Sequence, residues 1–456
     1  MYVFNFTILC MQKTSPANGT SAVDNTVAQH IHEHSRFTYT KDDKYWLFAA
    51  VAIGSIIGTF PFSILYTKFG ARYVFFVAGL VSALATILIP TFADFGVRYF
   101  LAMRILQGLA YSADFAAIGV LCARWASLKQ SAVFVSILTC FSPFSSVVAN
   151  PISGAFCNSK WGWPAAYYFH GIIGIVLFIL WVIFYTDQPA THKAVSTIEL
   201  EKIHRNKTQA HINMDSFVPY WQILKNPVIW TVWLNAMADV VSGIFLLTYT
   251  PTMLYKALKY DVSATGWLGA IPAAAHIPFK ICCGYFSDKI KSFPEHSKMI
   301  FFNSLALFVP GVLFIAVCFV PDSLPIIVVL LFSGIHAFLG ANCGGFYKCA
   351  VLVSRQYSAF VVANIQFIKC LTLFIAPGLV SIFVPDETSK EQWQRIFMLL
   401  AAILILSNIV FFFFATAEPA EFTKITRETR RQKSAAKIAP AELASAEAGW
   451  QQVSKA

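Results

Sequence analysis

Arg104, Gln107, Tyr111 and Asp114 stand at offsets of 0, 3, 7 and 10 inside an otherwise apolar run, so a helix stacks them on one face. A charge at the centre of such a run costs about 2.5–3.5 kcal/mol and faces a bundle interior or a water-filled cavity. Arg104 suits an anionic solute, because its guanidinium stays charged and offers a fork that matches carboxylate or phosphate. Asp114 neutralises it only weakly, since ten residues of helix separate the two by about 15 Å. The competing reading is structural, with each charge tying its helix to a neighbour. Asp239 and Lys369 lie in two later apolar runs and are expected to form an ion pair or a coupling site at which the carboxylate carries a proton. His336 and Tyr347, 11 apart in a Gly-rich run, share a helical face, while Asn342 does not. These groups point to binding and charge movement; no nucleotide loop or cofactor fingerprint is present, and no catalytic residue, cofactor or metal site is expected.

The elements that must position them are membrane helices. The chain has 456 residues, 57% hydrophobic and only 12% charged, with a mean hydropathy of +0.61. Eleven continuous apolar runs are read at 45–67, 73–93, 98–122, 131–156, 164–186, 227–253, 262–283, 299–320, 325–349, 358–384 and 395–417. Their continuity excludes a barrel of alternating strands. The net charge of +11 gathers in loops of one side, including Lys68, Arg72, Arg124, Lys289 and Arg355, so the charge anchors that side to the cytoplasm and its membrane lipid, and does not bind nucleic acid. The ten cysteines are read as small apolar packing residues. The opening apolar stretch is too short to span a bilayer and reads as the last turns of a first helix, which makes twelve. Residues 13–44 then lie outside, with Asn18 of Asn-Gly-Thr as a glycosylation acceptor; Asn5 also fits the pattern but sits too close to the bilayer.

Residues 187–226 are the one long polar interval and divide the helices six and six. The expected organisation is an N-terminal membrane half to residue 186, a cytoplasmic central loop, a C-terminal half over 227–417 and a disordered tail over 418–456. Within the loop, Ser196-x-x-Glu199 has capping-box spacing and predicts a short helix. The basic turn in "ILYTKFGAR" returns about 220 residues later as "GYFSDKIKS", in the corresponding loop of the second half. Parallel halves of this kind, with a site between them near the midplane, are a transporter architecture.

The two turns resemble the loop motif of the major facilitator superfamily. "RILQGL", "ARWAS", "NPISGAFC", "YTPTML", "SRQYSAFV", "EQWQRIF" and "FFATAEPAEFT" resemble solute carrier family 17, the family of sialin, the vesicular glutamate transporters and the type I sodium-phosphate cotransporters. The resemblance implies an all-α membrane fold of two pseudo-symmetric six-helix halves, and alternating-access transport of a small organic or inorganic anion with protons or sodium. It brings Tyr249, which opens "YTPTML", into the substrate-binding set. It assigns gating to Thr67, Lys68, Gly70, Arg72, Arg124, Asp288 and Lys289. Departures accompany it. The loop acid is replaced by Thr67, although Asp288 keeps it in the second half; a span-four glutamate falls on Tyr111; and a span-seven arginine of the glutamate transporters falls on Asp239. Without the first loop acid, Arg124 is expected to lack its partner. These losses feed an alternative, a sensor or scaffold that keeps the fold without transporting.

Overall fold

The computed structural model describes residues 2–12, 37–126, 131–204 and 218–425, and within these it is helical apart from short turns. Twelve membrane helices follow in chain order: α1 (Tyr2–Met11), α2 (Lys41–Phe69), α3 (Ala71–Asp94), α4 (Val97–Tyr111 continued by Ala113–Trp125), α5 (Ser131–Thr139 and Phe141–Cys157), α6 (Gly162–Phe184), α7 (Pro227–Thr252), α8 (Val262–Lys289), α9 (Glu295–Cys318), α10 (Pro325–Leu339 and Phe346–Ser354), α11 (Ser358–Phe383) and α12 (Lys390–Phe414). Eight of these are long and apolar enough to cross a membrane. α4 and α5 are interrupted at Ser112 and Cys140. The predicted short helix in the central loop is Thr197–His204, and the Glu199 N–H donates to Ser196 Oγ at 3.2 Å. Asn18 and the greater part of the tail lie outside the described residues. Asn5 is 1% exposed inside α1, which excludes it as a glycan acceptor.

Packing follows the repeat. α2 lies on α4 and α3 on α6, and their counterparts α8 on α10 and α9 on α12 pack in the same way. The halves meet along α5–α8 and α2–α11. The α2–α4 contact is backbone on backbone: a Cβ at Gly54 would meet the Ile105 carbonyl oxygen, and one at Gly108 that of Val51. At α5–α8, Asn150 Nδ2 of the "NPISG" motif donates to the Gly269 carbonyl at 3.3 Å. Outward, α6 presents Ile172, Val176, Leu177 and Ile183 to the surroundings, as a lipid-facing helix must.

Two sequence expectations are corrected. Cys10 at the end of α1 and Cys157 at the end of α5 form a disulfide, while the other eight cysteines are free. Both paired residues lie at the end of the bundle remote from the basic loops. Arg124 is paired after all. Its Nη1 lies 3.6 Å from Asp187 Oδ1 and donates to the Asp187 carbonyl at 3.1 Å. The same carboxylate accepts from the Ala71 N–H at 2.7 Å, capping α3 just after Gly70, whose φ of 76° sharpens the turn. An acid at the end of α6 thus stands in for the one missing from the loop. Arg72 donates through Nε and Nη2 to the Val182 carbonyl at 2.9 and 2.8 Å and anchors the turn to α6.

Candidate functional site

The predicted polar face of α4 divides into two settings. Arg104 is 1% exposed and spends its donors within the N-terminal half: Nε donates to the Leu47 carbonyl at 3.1 Å and Nη1 to Gln107 Oε1 at 3.0 Å. The Phe4 ring covers the guanidinium at 4.2 Å. Gln107 Nε2 donates on to Thr86 Oγ1 at 2.8 Å, so the pair ties α1, α2, α3 and α4 together. Tyr111 and Asp114, past the next turn, turn instead toward the opposite half.

There Lys369 of α11 sits 4.9 Å from the Tyr111 ring and 5.2 Å from the Phe141 ring. Asp114 is the acid whose field bears most on it. Lys369 is 7% exposed, and its aromatic neighbours replace part of the hydration it has lost. On the same N-terminal wall, the Tyr2 hydroxyl and Ser142 Oγ are 2.6 Å apart.

Asp239 of α7 was expected to face Lys369. Its resolved partners are others: Asn342 Nδ2 of α10 donates to Asp239 Oδ2 at 3.0 Å, and the cation whose field reaches the carboxylate is Lys280 of α8. Asn342 reaches it because Gly340–Gly344 is a 3-10 turn, which rotates the side chain away from the position that α-helical spacing gives it. Lys280 is 8% exposed, and its ammonium has neither a hydrogen bond nor an ion pair among the described residues, although its carbonyl accepts from Cys343 Sγ at 3.6 Å. It lies in the field of Lys369, so two ammonium groups share one buried region between the halves. Lys280 is absent from the sequence-predicted set, although it lies inside the run read at 262–283; the helix continues to Lys289. Its signal was the one used elsewhere, a charge inside an apolar run.

The remaining predicted residues sit around this region or at the ends of the bundle. Tyr347 is close enough to Asp239 for the two to interact electrostatically. His336 is 3% exposed with both ring nitrogens unpartnered, and its carbonyl lies 2.6 Å from His276 Nδ1. Tyr249 packs among Phe48, Phe245 and Trp393, toward the end away from the basic loops. At the basic end, Lys348 of α10 repeats the part that Arg124 plays on α4: its Nζ lies 3.7 Å from Asp288 and 2.9 Å from Glu295. Lys289 donates to the Tyr285 hydroxyl at 2.6 Å. Lys68 is exposed, and the side chain of Thr67 lies outside the described residues.

Residues 17–377 match the Major Facilitator Superfamily. The chain belongs to that superfamily. Among curated relatives it is 26% identical over 417 residues to sialin of Ovis aries, covering 88% of this chain and 83% of that protein. It is 26% identical over 387 residues to sodium-dependent phosphate transport protein 3 of Mus musculus, covering 84% and 80%. These relatives are members of the solute carrier family that the motifs resemble. Among solved structures it is similar to a bacterial homolog of the human lysosomal transporter Spinster, inward-facing and occupied, with a TM-score of 0.61, 15% identity and coverage of 90% and 94%. A D-xylose-proton symporter gives a TM-score of 0.61 at 14% identity, covering 91% and 95%. The fold, the superfamily and the relatives together make this chain a multi-pass membrane transporter.

Proposed function

We propose that the chain moves a small organic or inorganic anion across its membrane by alternating access, driven by a proton or sodium gradient and without ATP. The observation that carries this reading is the pair of buried ammonium groups, Lys280 and Lys369, between the two halves, the first of them with no hydrogen bond or ion pair among the described residues. A buried cation without a counter-ion is costly, and a carboxylate or phosphate entering between the two supplies the missing charge. Tyr111 and Phe141 form the N-terminal wall beside the ammonium of Lys369, and Tyr347 lies on the C-terminal side. Arg104 and Gln107 act from behind that wall, adding positive potential and holding α4 in place. His336 and Tyr249 complete the substrate-facing set, and Asp114 balances Lys369 when the site is empty.

An anionic cargo agrees in class with the relatives, one of which is named for phosphate. The superfamily's halves rock about a fixed midplane site. Here Asp187–Arg124 and Asp288–Lys348 hold the basic-end turns while Lys44–Glu387 joins the halves at the other end. The test is uptake of labelled anions by purified protein in liposomes. Lys280→Met and Lys369→Met should each reduce uptake at least tenfold with expression retained, and normal affinity in both would remove the anion site from this position.

A further inference from the structure

Asp239 and Asn342 leave two oxygens unused. Asn342 Nδ2 donates to Asp239 Oδ2 at 3.0 Å, while Asp239 Oδ1 and Asn342 Oδ1 are both buried without a partner. The residues are 6% and 5% exposed. An orphan acceptor in an apolar interior is costly, and two on one hydrogen-bonded pair call for a shared donor. A carboxylic acid facing a primary amide closes a ring of two hydrogen bonds, the amide N–H to one acid oxygen and the acid O–H to the amide oxygen. One of these bonds is present here, and the second requires a single proton.

We infer that Asp239 and Asn342 form the coupling-proton site of this transporter: Asp239 Oδ1 takes a proton and donates it in a hydrogen bond to Asn342 Oδ1. The inference rests on the transport reading above and names its coupling ion. The bond formed is O–H on Asp239. The proton comes from water on the side to which the cleft is open and returns to water on the other side.

Lys280 gives the site its link to the cargo. Its ammonium is the cation whose field reaches the Asp239 carboxylate, and it is also one of the two cations of the anion site. With Asp239 ionised, Lys280 is neutralised by the acid. With Asp239 protonated, the acid is neutral and Lys280 turns to the anion. Proton and anion then enter together, and neither crosses without the other. The groups facing this pair are few. α8 contributes Lys280 and, behind it, His276; α10 contributes Tyr347 and His336; α11 contributes Lys369, which Asp114 of α4 balances. Asn303 of α9 and Asn408 of α12, bonded to each other at 2.9 Å, do not titrate. The Tyr2 hydroxyl of α1 is engaged with Ser142.

Infrared difference spectra of the purified full chain, taken across a pH titration without any solute, read the site directly. A protonated-carboxyl band should appear with acidification and be lost in Asp239→Asn. In Asn342→Leu, which keeps the acid, the band should move to the higher frequency of a carboxyl C=O freed from its hydrogen-bonded ring. Exchanging sodium for potassium should leave the band unchanged. A band that persists in Asp239→Asn, or that stays fixed in Asn342→Leu, overturns the inference, and sodium binding that is lost in Asp239→Asn makes the pair a sodium site instead. In liposomes, uptake that changes by up to about tenfold per pH unit in the wild type should change by less than about twofold in Asp239→Asn. The expected bands with no anion uptake would retain the proton site and remove the transport reading. Proton-driven uptake with an unaltered pH profile in Asp239→Asn would do the reverse.

Discussion

Lys44 and Glu387 form an ion pair that joins the two halves at the end of the bundle remote from the basic loops. Nζ lies 3.1 and 3.2 Å from the two carboxylate oxygens, and the side chains are 24% and 25% exposed. The loop that carries Glu387 is held in place, because its carbonyl accepts from Trp393 Nε1 at 2.9 Å. Nearby, Tyr45 packs edge-on against Phe374 with ring centroids 5.8 Å apart. An exposed pair contributes about 0.2–1 kcal/mol, and a pair that is three-quarters buried and touches both oxygens belongs near the top of that range. Losing about 1 kcal/mol moves a two-state equilibrium about fivefold toward opening at this end. Ala52, wholly buried among residues of the C-terminal half, is a suitable reporter. In a background with Cys282 replaced by Ser, an impermeant thiol reagent should label Ala52→Cys about fivefold faster after Lys44→Met or Glu387→Gln. The double variant should label no faster than either single one, since both remove the same contact, and high salt should narrow the difference. Unchanged labelling in both single variants, or effects that add in the double, would refute the clasp.

Three further outcomes follow from the same structure. Asp187→Ala removes the α3 cap and the carboxylate beside Arg124 together, so the melting transition should fall by the equivalent of about 1–2 kcal/mol, with Asp187→Asn closer to wild type; equal stability of all three proteins would show that the loop does not depend on this acid. Mass spectrometry of unreduced digests should recover the Cys10–Cys157 peptide pair, and Cys10→Ser should lower thermal stability, because the bond closes a separation of 147 residues; two free thiols in the native protein would contradict the pairing. Hydrogen bonds from the Thr388 side chain and N–H hold the exposed Asp386 carboxyl below its ordinary value. Its support for the 385–389 loop is therefore complete above pH about 4 and lost as the pH falls through the lowered value. Thr388→Val should bring that loss to a higher pH in hydrogen exchange, and identical profiles would remove the assignment.

Apolar run lengths gave the helices and the loop repeat gave the halves, because both are local properties written along the chain. Partnership across the fold was less legible. Asp187 caps a helix that begins 116 positions earlier, and no spacing rule connects an acid at the end of α6 with the glycine turn after α2. Cys10 and Cys157 meet only through the packing of α1 on α5. Asn342 was set aside on a helical-wheel argument that holds for α-helix and fails in the 3-10 turn where it sits. Arg104 and Asp114 stand ten residues apart on α4, but only the fold could place one inside the N-terminal half and bring the other into the field of Lys369 across the interface.

Net anion movement is the most direct test of transport by this chain. Purified protein in liposomes, given a panel of labelled carboxylates and phosphate under an imposed proton gradient, a sodium gradient or neither, should accumulate at least one anion above equilibrium with the proton gradient alone. It should do so without ATP, and Lys280→Met should abolish the accumulation. A correctly folded preparation that accumulates none of the panel under any gradient would contradict it and leave the fold to a sensor or scaffold.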